Sequence, residues 1–78
     1  MKVYAQKINN LQQALSKLED RVVLTSDKDM ENRIYAISEI RYYKKLVESF
    51  FEYPPELKMD IVADLSDMIG VLEKWLAE

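Results

Sequence analysis

The chain has no histidine and no cysteine among its 78 residues, a single glycine, and only two prolines, which stand side by side. Without cysteine there is no disulfide, no thiolate nucleophile and no thiolate zinc site. Without histidine the commonest general base and transition-metal ligand are gone. Nucleophilic, zinc and redox chemistry are thereby largely excluded, so a non-enzymatic protein without cofactor or metal is expected. Scarce Gly and Pro leave few places for the backbone to turn, which favours long helices joined by brief breaks. No apolar run approaches the roughly 20 residues needed to cross a bilayer, so no membrane partner is expected. Met1 to Asn10 alternates polar and apolar residues instead of carrying a signal-peptide core, and a cytoplasmic location is the default expectation.

What is present is a composition 49% hydrophobic and 32% charged, that of a helical globular chain. The net charge of -3 lacks the basic excess of an electrostatic nucleic-acid binder and argues against such a partner. A chain this short buries only roughly 60 to 65% of its unfolded surface, so its core is small. With disulfides and metals unavailable, association is the remaining supplement. A protein partner is expected: a second copy in a homodimer, or a heterologous helix.

The pattern divides into three amphipathic segments. Tyr4, Ile8, Leu11, Leu15, Leu18 and Val22 alternate spacings of four and three, a narrow coiled-coil-like stripe that predicts a helix over 3–24. Thr25, Ser26 and Asp27 supply N-cap candidates, with Asp29 and Glu31 as first-turn acids, and predict a second helix over 27–53. Pro54 disfavours helix at Tyr53, and Pro55 suits the first turn of a third helix over 55–76. The short turn implies that helices 2 and 3 form an antiparallel hairpin.

Helix 2 has the broadest apolar arc, with one seam of Ala36, Ile40, Tyr43, Val47 and Phe50 and a second of Tyr35, Tyr42, Leu46 and Tyr53. Such a helix calls for two neighbours, which places it at the centre of a bundle or in a dimer of hairpins. The expected fold is all-α: one helical domain over 1–78, a three-helix bundle of that hairpin plus a long N-terminal helix, associating as a dimer.

Charge is uneven: the segment through Leu24 sums to +2 and that from Pro54 onward to -4. Helix 3 carries Glu56, Asp60, Asp64 and Asp67 along one edge. These acids either pair with Lys7, Lys17 or Arg21, stay solvated, or steer a basic partner, with Asp60, Asp64 and Asp67 as the steering candidates. Asp27, Asp29 and Glu31 imitate a calcium loop, but Asn32 occupies the glycine position and Ser38 that of the bidentate glutamate, so helix capping explains them better. Asp64-Leu65-Ser66-Asp67-Met68 resembles the phosphopantetheine attachment sequence of acyl carrier proteins. That family's serine opens a helix, whereas Ser66 falls inside one, so no carrier role or cofactor is assigned.

Two surfaces are candidates for protein contact. One is the second seam of helix 2, Tyr35, Tyr42, Leu46 and Tyr53, which becomes a contact patch if helix 1 leaves it uncovered. The other is the back of helix 3, where Met59, Ala63, Ser66, Gly70 and Ala77 share a face and Gly70 invites close backbone approach. The function expected is an interaction module of adaptor, small-inhibitor or co-chaperone type. The alternative is a small dimeric RNA- or DNA-binding regulator using Arg33, Arg41, Lys44 and Lys45. Catalysis by a cationic pocket would need several arginines to converge, and Arg21, Arg33 and Arg41 fall on predicted outer faces.

Overall fold

The computed structural model describes residues 2–78, with side chains from Ala5 onward. Three α-helices follow one another: α1 (Lys2–Leu24), α2 (Met30–Glu48) and α3 (Pro55–Ala77), with a 3₁₀ turn at Phe50–Glu52 before the last. No strand occurs among the described residues, and no helix there is long and apolar enough to cross a membrane.

The stripe read on α1 is its buried face. Ile8, Leu15, Leu18 and Val22 are buried, with Leu11 packed beside them, while the side chain of Tyr4 lies outside the described residues. Ala36, Ile40, Val47 and Phe50 meet this stripe from the α2 side, and Leu65 and Ile69 from α3. Each fully buried aliphatic or aromatic side chain contributes about 1.5 to 3 kcal/mol of transfer free energy. Among the described residues no polar side chain is buried, so none of them offsets that gain by desolvation.

Short links reverse the chain twice, giving an up-down-up bundle of 41 × 18 × 16 Å. α1 and α2 are antiparallel neighbours, clamped where Glu19 of α1 meets Arg41 and Lys44 of α2. α3 runs parallel to α1, and the α1–α2 loop folds over its C-terminal end, with Lys28 Nζ 5.6 Å from the Trp75 ring centroid.

The central helix is α1, not α2. α1 packs closely against both partners, whereas α2 and α3 approach each other least. The breadth of α2 misleads because half its arc is tyrosine. A phenol has an apolar body and a polar tip, and it can remain at the surface where an isoleucine would be driven inward. The narrow aliphatic stripe of α1 has no such option and takes the middle.

Both ends of α2 fall inside the range expected from sequence. Its N-cap is Asp29, not Thr25, Ser26 or Asp27: Asp29 Oδ1 accepts the Asn32 backbone N–H at 2.9 Å, and Asn32 Nδ2 donates to Oδ2 at 2.6 Å. Asp27 is occupied by the Thr25 hydroxyl, which donates to it at 2.6 Å, and so belongs to the loop. A cap of this kind contributes about 1 kcal/mol. At the other end α2 stops at Glu48 because Tyr53, before Pro54, is extended (φ -85, ψ 151), and the 3₁₀ turn joins the two backbone regimes.

Candidate functional site

Because α2 and α3 both lean on α1 but little on each other, a groove remains between them. At its upper end it forms a cavity of about 260 Å³ lined by Asn32, Tyr35 and Ala36 from α2 and Val71, Leu72 and Trp75 from α3. Tyr35 and Val71, on opposite lips, are 67% and 66% exposed, far more than side chains of a closed bundle seam. Tyr42 stands two helical turns beyond Tyr35 on the same lip, also exposed, and the half-buried Leu46 follows at the next turn. On α3, Leu57 and Asp64 precede Val71 at seven-residue spacing and line the same edge.

Carboxylates border this apolar strip. The Tyr35 hydroxyl donates to Glu39, which, together with that carboxylate's charge, raises the phenol's pKa above its ordinary value. Tyr43, half-buried below, is also raised, first by burial and then by the charges of Asp64 and Glu39. Asp64 of α3 and Glu39 of α2 are thus both close enough for their charges to act on Tyr43. Asp60 and Asp67 flank Asp64 on the same edge of α3, and all three are exposed. None of them forms an ion pair among the described residues, so the stripe is solvated and not matched by Lys7, Lys17 or Arg21.

Of the residues expected from sequence, Tyr35, Tyr42 and Leu46 lie along the groove, and Tyr53 is half-buried at the turn below it. Met59, Ala63, Ser66, Gly70 and Ala77 occupy the outer face of α3 and are exposed. A Cβ built on Gly70 would meet nothing within 4 Å, so no helix of this chain approaches there. Gly70→Ala is accordingly expected to raise stability by about 0.5 to 1 kcal/mol in a urea titration, since the methyl fits and the unfolded chain loses freedom. A decrease would reveal a close neighbour on that face.

The basic residues named for nucleic acid are mostly engaged within the chain. Arg33 turns back to cap the C-terminal end of α1, donating from Nε to the Val22 carbonyl at 3.4 Å and from its terminal nitrogen to the Val23 carbonyl at 3.0 Å. Arg41 and Lys44 both bind Glu19, at 3.1 and 2.5 Å. Only Lys45 stands exposed without such a contact.

No family model, curated protein or solved structure matches this chain. The geometry of the groove is therefore the basis for a functional reading.

The Glu19 clamp ties α2, one wall of the groove, to α1. Hydrogen bonds from Lys44 and then Arg41 hold the Glu19 carboxyl below its ordinary pKa. A lowered folded-state pKa means that the stabilisation is fully present above the unfolded value and is lost as pH falls through the folded one. Arg41 is largely exposed and Lys44 half-buried, so solvent screening limits the contribution to about 1 kcal/mol. Wild type should exceed Glu19→Gln in urea midpoint at neutral pH, and the gap should close as pH drops below the ordinary glutamate value of about 4.3. A gap that persists in acid would mean that packing, not charge, sets the difference.

Val71 and Trp75 were not legible as site residues from sequence. Val71 lies in the apolar run Met68–Leu72 and reads as core; the usable signal was its seven-residue spacing from Asp64, a residue that must face water.

Proposed function

We propose that this protein is a non-enzymatic interaction module whose α2/α3 groove receives an amphipathic helix of a protein partner. The observation that carries this is the exposed pairing of Tyr35 and Val71 across an apolar cavity; the clefts on the α1/α3 and α1/α2 seams are lined mostly by polar and charged side chains such as Gln13, Lys17, Arg21, Lys44 and Glu48. Apolar grooves between helices are a recurrent receptor for helical segments, read as anchors at i, i+3, i+4 and i+7. An exposed tyrosine lip over an aliphatic floor also has the composition of an interface anchor. A two-fold dimer through this groove would bring its acidic borders together, so the occupant is a heterologous helix.

Trp75 is the only tryptophan and lines the groove, which makes it a reporter of occupancy. Titration with a tryptophan-free amphipathic helical peptide should shift Trp75 emission saturably to shorter wavelength. An unchanged spectrum, with the peptide helical and in excess, would overturn the proposal.

A further inference from the structure

We infer that the partner helix is cationic, with lysines or arginines flanking its apolar stripe. This rests on the groove being the binding surface and names what it selects. The argument is charge complementarity. Asp60, Asp64 and Asp67 stand along the α3 edge, and Glu39 on the α2 side beside Tyr35, with no ion pair to any of the four among the described residues.

The arrangement is costly without a partner. Like charges three and four residues apart on a helix repel, and Asp60, Asp64 and Asp67 are all exposed along one edge of α3. Most of the cations near α2 and α3 are directed elsewhere, and the exposed Lys45 and Lys74 form no ion pair with these acids among the described residues. Arg41 and Lys44 go to Glu19, Arg33 to the end of α1, and Lys58 to the Phe50 and Phe51 rings. Lys28, over Trp75, sits at the end of the groove, and Lys74, one turn past Val71, stands at the same end of the α3 edge. A helix lying in the groove would run beside α3 from Leu57 to Trp75, about 27 Å or five turns. That length lets three or four basic side chains reach the carboxylates while the apolar stripe rests on Tyr35, Tyr42 and Val71. An acidic or neutral helix gains only the second contact, and an acidic one is repelled.

The test uses two tryptophan-free helical peptides of identical apolar stripe, one flanked by lysine and one by glutamine, titrated against the intact chain by Trp75 emission. The lysine peptide is expected to bind roughly tenfold more tightly at low ionic strength, from several exposed pairs acting together. The advantage should fade toward 1 M salt, where the screening length is about 3 Å. The triple variant Asp60→Asn, Asp64→Asn, Asp67→Asn should weaken the lysine peptide and leave the glutamine peptide unchanged. Equal binding of both peptides, or equal weakening of both by the variant, would overturn the cationic partner while leaving the groove as a binding surface. Absence of any Trp75 response to either would overturn the groove and this inference with it.

Discussion

Leu15→Ala is expected to lower the free energy of unfolding by about 3 to 4 kcal/mol, the range for a leucine whose surroundings cannot collapse onto the cavity. Leu15 is completely buried and lies midway along α1, the helix against which both others pack. Its loss therefore loosens the structure at its shared wall, not at one edge. A chain of this size is stabilised by roughly 4 to 12 kcal/mol in total, so the variant should show a much lower urea midpoint and, at the low end of that range, fail to fold. Leu24→Ala is the control. Leu24 is 81% exposed at the end of the same helix, and its change should stay within about 0.5 kcal/mol. If the two variants behaved alike, α1 would not be the central element.

The second large effect is on binding. Tyr35→Ala is expected to weaken a groove-binding helical peptide by roughly 30-fold, the equivalent of about 2 kcal/mol for an interface anchor. Folding stability should change little, because Tyr35 is two-thirds exposed and its hydroxyl bonds only to Glu39 at the surface. Val71→Ser on the opposite lip should act in the same direction and also spare the fold. Gly70→Ala, one residue away on the outer face of α3, should leave affinity unchanged. Peptide titrations paired with urea midpoints for each variant separate the two effects. Loss of affinity in Gly70→Ala with retention in Tyr35→Ala would move the binding surface to the back of α3.

Much of the bundle was legible in the chain because aliphatic periodicity reports burial directly. Ile8, Leu15, Leu18 and Val22 have no polar atoms to carry to the surface, and their stripe is buried as its spacing implied. The same holds for Leu65 on α3, while Met68 and Leu72 pack partly buried beside it. Pro54 and Pro55 fixed the last turn through backbone geometry alone.

The order of the helices in space was not legible, since Tyr35 and Tyr42 count as apolar in a pattern but tolerate water in a structure. The start of α2 was ambiguous because Thr25, Ser26, Asp27 and Asp29 can all cap a helix, and only the Asp29–Asn32 geometry decides among them. The Glu19 clamp depends on the antiparallel register of α1 and α2. No local pattern specifies that register. One lip of the groove, Tyr35, Tyr42 and Leu46, could be read from α2 by itself. The other required knowing that α3 stands off from α2 far enough to leave Val71 uncovered.

The most direct measurement of the central claim is an amide-resonance map of the chain titrated with the lysine-flanked helical peptide. The largest shifts should fall on Tyr35, Ala36, Tyr42, Asp64, Val71 and Trp75, on the two facing edges of α2 and α3. Shifts confined to the outer face of α1 around Gln13, or to the back of α3 around Ala63 and Gly70, would contradict it.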